Sequence, residues 1–141
     1  MGNELREDAG RVLGLDFGAK RTGVAMTDPT RTVVQPHEPI AKANSSDGLA
    51  SIAALVASHG VTRIVVGLPA GREGDQSPQA QRSRSFAARL ASHVDVPVEL
   101  HDERLTSRMA DRTVAETGTG ASRDSLAASH LLQSWMEAQG A

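Results

Sequence analysis

Three acidic positions in this chain stand where a carboxylate can do chemistry rather than only solubilise. Asp16 ends the apolar run Val12-Leu13-Gly14-Leu15 and is followed by Phe17-Gly18, so it sits where a strand gives way to a turn. Val98-Glu99-Leu100-His101-Asp102-Glu103 brings a second strand to an acidic end. Asp124 precedes Ala128, Leu131 and Trp135 at spacings of four, seven and eleven, which are helical and turn it toward whatever those residues pack on. Parallel pairing of the two strands puts both acidic ends at one sheet edge. Three carboxylates gathered there repel one another and drive at least one pKa up. A divalent cation removes the conflict: Mg²⁺ or Mn²⁺ takes hard oxygen ligands, and beside a polyanionic substrate such a site suits phosphodiester cleavage.

The middle acid has two candidates. Strand alternation puts Val96, Val98, Leu100 and Asp102 on one face and Glu99, His101 and Glu103 on the other. Periodicity does not say which face holds the metal, so Asp102 and Glu103 both stand as ligands beside Asp16 and Asp124. Around these acids lie cations that can hold phosphates: Lys20 and Arg21 next to Asp16, and Arg104 next to Glu103. Arg82 and Arg84 add a second basic group. The alternative for all of these is a set of solvated helix faces and surface ion pairs. His101 and His130 can serve as proton shuttles or as structural side chains, and His37, His59 and His93 have no acidic partner at ligand spacing.

The elements that must position these groups can be read from periodicity. With 141 residues, 39% hydrophobic and 23% charged, the chain suits one globular core. Residues 1–10 are expected to be a polar tail and 11–141 a single domain. Residues 11–16 and 22–27 read as a hairpin around Gly18-Ala19-Lys20-Arg21, and 31–35 as a third antiparallel strand after Asp28-Pro29. Residues 36–47 read as a loop. A helix over 49–58 is ended by Gly60, and 62–68 is an apolar strand covered on both faces. Ser77-Pro78 starts a second helix reaching about residue 92. A strand over 96–101, a helix over 106–116, a glycine-bearing loop over 117–123 and a helix over 124–139 complete the chain. The last helix carries the stripe Ala128, Leu131, Leu132, Trp135 and Met136. The expected fold is α/β: a five-stranded mixed sheet, three antiparallel strands then two parallel, flanked by helices, in the ribonuclease H-like order. A doubly wound nucleotide fold would place a crossover helix where the hairpin stands.

Composition excludes several classes. Without cysteine there is no disulfide framework, thiolate metal site or cysteine nucleophile. The apolar runs are short and the first ten residues polar, so no membrane span or secretory signal is expected and a cytoplasmic location is. Aromatics are 2%, too few for base-stacking platforms. The formal charge of -2 does not exclude a nucleic-acid partner, because many of the 15 basic residues, nearly all arginine, fall into local groups.

The segments LGLDFGAKRTGVAMTD, IVVGLP followed by GREGDQSPQAQRSRSFAARL, HDERLTSRMA and RDSLAASHLLQSWM resemble, in order and over nearly the whole chain, the signatures of the YqgF/RuvX family. That resemblance implies a ribonuclease H-like metal-dependent nuclease, described as a Holliday junction resolvase and implicated in 5′-end processing of the precursor of 16S ribosomal RNA. It puts the family's metal-binding acids on Asp16, on the acid of HDERLTS, with Glu103 favoured over Asp102, and on Asp124. The implied partners are precursor ribosomal RNA or branched DNA, with a homodimer as a further expectation. Ser129-His130 departs from the more apolar residues usual there. Two other classes compete. A non-catalytic nucleic-acid module gains little from a buried acidic cluster facing phosphates. An actin-like phosphotransferase half shares the D-x-G turn, but needs two related domains around a nucleotide.

Overall fold

Alternation along the first strand sets the layers. In the computed structural model, which describes residues 10–18, 20–69, 77–102 and 123–140 (123, 124 and 140 by backbone alone), β1 (Arg11–Asp16) points Leu13 and Leu15 to one face and Val12 to the other. β2 (Arg21–Thr27) and β3 (Val34–Ala41) follow, then α1 (Ser46–His59), β4 (Val61–Leu68), α2 (Pro78–Ala91), β5 (Val98–Asp102) and α3 (Arg123–Gly140). The sheet order is β3-β2-β1-β4-β5. β1 pairs antiparallel with β2 and β2 with β3, while β1, β4 and β5 run parallel. The expected five-stranded mixed sheet is therefore the observed one.

Each face of the sheet carries its own core. Leu13, Leu15, Val24, Met26, Ile64 and Val66 meet Leu49 and Ile52 of α1 and Phe86 and Leu90 of α2. On the other face Val12, Ala25 and Val65 meet Ala128, Leu131, Leu132 and Trp135 of α3. Burying side chains of this size contributes roughly 1.5–3 kcal/mol each, which holds the helices against the sheet. Gly14 lets α3 come close: a Cβ there would lie 2.5 Å from the Leu132 side chain.

Helix ends follow the expected chemistry. The Ser45 hydroxyl accepts from the Gly48 amide at 3.0 Å and starts α1 three residues before its first apolar position, so the helix is longer than the expected 49–58. Gly60, at φ 68°, ends it by donating its N–H to the Val56 carbonyl. Ser77 caps α2 through the Ala80 amide, with Pro78 in the first turn as expected.

The third strand departs from expectation. The sequence pattern favours 31–35 for it and a loop over 36–47, but β3 occupies Val34–Ala41 and passes through Pro36 and Pro39. A proline cannot donate to a ladder, but among the described residues β3 is an edge strand of the sheet. Residues 31–33 instead belong to a turn built on Asp28, whose carboxylate accepts from the amides of Thr30, Thr32 and Val33 and from the Thr30 hydroxyl. Those bonds hold the Asp28 carboxyl far below the usual carboxylate range, the Thr30 hydroxyl first among them. β5 begins two residues later than expected; before it, the Pro97 carbonyl still accepts from the Ile64 amide at 2.9 Å. The expected helix over 106–116 lies outside the described residues, as does the loop over 117–122.

Candidate active site

Asp16 ends β1 opposite Gly23 of β2, and its parity with Val12 and Gly14 assigns it to the α3 face. Parallel β1, β4 and β5 bring their C-terminal ends to one edge, as expected from parallel pairing of the acid-bearing strands. Beyond the pair Leu15 and Val66, the register continues to Gly67, which pairs with His101, so positions 16, 67 and 101 follow one row across three strands.

The described part of β5 shows which of its residues share a face with Asp16. Glu99 pairs in register with Val65, a residue of the α3-side core, and its Oε2 accepts from the Trp135 indole N–H at 2.7 Å. His101 Nε2 lies 3.0 Å from Ser134 Oγ, also on α3. Glu99 and His101 thus share the face of Asp16. Asp102 pairs with Leu68, alternates to the α1/α2 face and is exposed. Glu103 and Arg104 lie outside the described residues. Among the described residues, no three histidine, aspartate or glutamate side chains gather as a metal site.

Asp124 opens α3, and the neighbouring Ser125 ties that first turn to the sheet. The β2–β3 register shifts between Thr22 and Val24, and there the Val24 amide donates to Ser125 Oγ at 3.4 Å while that hydroxyl donates to the His37 carbonyl. Because Gly23, opposite Asp16, precedes Val24, the backbone at position 124 is anchored within a few residues of Asp16. The far end of α3 is held by Trp135, which donates to Glu99. Glu99 also accepts from Arg63 at 2.5 Å, and the Arg31 guanidinium sits 5.7 Å from the indole ring centroid. Ser129, one of the departures in the last block, is buried and donates to the Ser125 carbonyl.

The basic candidates divide between two regions. Lys20 and Arg21 are exposed at the turn after Asp16. Arg82 and Arg84 lie on α2, across the sheet from α3, exposed and half-exposed respectively. α2 is linked to the Asp16 end by Phe17, which stacks on Phe86 at 4.5 Å. Sequence reasoning missed Lys42, whose backbone N–H donates to the Lys20 carbonyl at 3.0 Å. With residues 36–47 read as loop, no signal links it to the hairpin. His130 is half-buried next to Gln133; burial pushes its pKa down and the Gln133 hydrogen bond offsets part of that.

A relative from Pelotomaculum thermopropionicum, named "Putative pre-16S rRNA nuclease", is 40% identical over 136 residues, covering 92% of this chain and 88% of the relative. Relatives of the same name from Myxococcus xanthus and Moorella thermoacetica are each 38% identical, covering 91% and 92% of this chain and 88% and 96% of theirs. Among solved structures, Thermus thermophilus RuvC in complex with a Holliday junction substrate superposes with TM-score 0.55 at 14% identity, covering 93% of this chain and 96% of that one. The fowlpox virus Holliday junction resolvase does so with TM-score 0.55 at 14% identity, covering 91% and 99%. At that identity the likeness is one of fold. Residues 10–138 match the family described as RuvX, Holliday junction resolvase, and to that family the chain belongs.

Proposed function

We propose that this chain is a divalent-metal-dependent endonuclease that hydrolyses phosphodiester bonds in structured nucleic acid, with 5′-end processing of precursor 16S ribosomal RNA as its task. The carrying observation is the convergence of the Asp16 strand end, the α3-side face of β5 and the anchored first turn of α3 at one sheet edge. In this reading Asp16, Glu103 and Asp124 hold the metal. Supporting Glu103 over Asp102 is its sequence parity with Glu99 and His101, on the face that Asp16 shares. The donors are carboxylate oxygens without a thiolate, a set suited to Mg²⁺ or Mn²⁺. When bound, such an ion polarises the phosphoryl oxygen and offsets charge on the leaving group. The chain's own cations, Lys20, Arg21, Arg82, Arg84 and Arg104, hold the phosphate backbone, and the single domain 11–141 carries the whole site. No described helix is long and apolar enough to cross a membrane, and a cytoplasmic location fits the ribosomal task. A homodimer would present two such sites.

The names of the relatives favour RNA. The family description favours branched DNA as the second reading. The test incubates purified protein with precursor 16S ribosomal RNA and with a four-way DNA junction, each with Mg²⁺, Mn²⁺ or chelator. Metal-dependent cleavage of the RNA alone is expected, and Asp16→Asn should abolish it with an unchanged melting temperature. Junction resolution without RNA cleavage would transfer the assignment to DNA. Binding without cleavage under any metal would leave a non-catalytic module.

A further inference from the structure

Lys42 occupies a backbone conformation that L-residues avoid, with φ 50°. Its geometry is held on both sides. The Lys42 N–H donates to the Lys20 carbonyl, and the Lys42 carbonyl accepts from the Ser45 amide at 3.0 Å and the Ser45 hydroxyl at 2.7 Å. Glycine or asparagine would take this conformation at lower cost, so a lysine here is a local misfit that the surrounding bonds override. Such a misfit points to use of the side chain.

The fold puts that side chain in particular company. Arg21 pairs with Ala41 at the end of the β2–β3 ladder, and Lys20 is bonded to Lys42 across the same end. Lys20, Arg21 and Lys42 are all exposed, and among the described residues neither lysine ammonium is engaged in an ion pair. The corner lies two residues beyond Gly23, the partner of Asp16, which is about 7 Å along the strand. Adjacent cations on hydrogen-bonded backbones repel one another, and a polyanion laid across them turns that repulsion into attraction.

We propose that Lys42 is a phosphate-contacting residue, and that with Lys20 and Arg21 it forms a three-cation corner gripping the nucleic-acid backbone just outside the Asp16 edge. This rests on the nuclease reading and assigns to the substrate grip a residue from β3's end. The backbone conformation supplies a clean test, because Lys42→Gly and Lys42→Asn both remove the charge while suiting the positive φ. The full-length variants are compared with the unchanged chain by thermal melting and by fluorescence anisotropy over a salt series, using a labelled RNA hairpin and a labelled four-way DNA junction.

The expected result is a melting temperature unchanged or raised, with a log–log salt slope flatter by about 0.7–0.9 and binding weaker by about five- to eightfold near 0.1 M salt, as removing one phosphate-bound cation implies. Lys42→Arg should restore both. Equal slope and affinity in the Gly and Asn variants overturn the proposal, as does failure of the unchanged chain to bind either probe. The nuclease reading fails separately: if Asp16→Asn still cleaves while the Lys42 variants flatten the slope, the corner stands and the acidic site falls.

Discussion

Glu99 shows how an acid close to the proposed metal ligands can be committed to structure instead. Both of its oxygens are engaged, one by Arg63 and one by the Trp135 indole, so its charge locks α3 across the sheet. His37 carries a different consequence. Burial, followed by His59 and Arg11 nearby, pushes its pKa below the ordinary imidazole value, and burial does the same to His130. For a histidine with a depressed folded pKa, the unfolded chain binds more protons between the two pKa values, so stability rises with pH through that window. The contribution is complete above the ordinary value of 6.5 and is lost as pH falls toward the folded pKa. The urea midpoint should therefore drop as pH falls below the ordinary imidazole value of 6.5, and His37→Leu should make that drop shallower. An identical pH profile in the variant would remove His37 from the linkage.

At the scale of elements, the site depends on how closely and at what angle α3 lies on the sheet. Gly14 sets the closeness. Gly14→Ala should cost about 1–3 kcal/mol in denaturant unfolding, because the new methyl meets Leu132, and Leu132→Ala in the same chain should recover part of that loss. Additive losses in the double variant would show that the two positions are not coupled. Ser125 sets the position of the first turn. Ser125→Ala leaves the Val24 amide and the His37 carbonyl without their partner and should cost about 1–3 kcal/mol. If α3 carries a metal ligand at Asp124, the same variant should raise the metal concentration needed for half-maximal cleavage. A stability loss with unchanged metal dependence would separate Ser125 from the site.

For the whole molecule, the two basic regions lie on different sides of the sheet. Lys20 and Arg21 adjoin the Asp16 edge, whereas Arg82 and Arg84 stand on α2. A substrate gripped by both must wrap the sheet edge, which suits structured nucleic acid better than a short single strand. Replacing Arg82 and Arg84 with Ala should then flatten the salt slope by about one unit for each phosphate no longer neutralised, across sequences and without changing base preference. An unaltered slope in the double variant would return those arginines to the role of a solvated helix face, leaving the Lys20 side as the only track.

What the amino-acid order determined by itself is the set of elements whose signals are local. The β1–β2 hairpin, the Ser77-Pro78 start of α2, the Gly60 stop of α1 and the apolar stripe of α3 all rest on neighbours within a few residues, so periodicity and capping chemistry were sufficient. Tertiary structure decided the rest. Prolines at 36 and 39 read as loop until the sheet order makes β3 an edge, and with β3 unseen, Lys42 has no visible link to Lys20. The face of β5 could not be chosen from alternation, because a period of two names two faces without ranking them. It took Glu99 and His101 meeting Trp135 and Ser134 of α3 to identify the face shared with Asp16, a matter of which helix covers which side that no local pattern records.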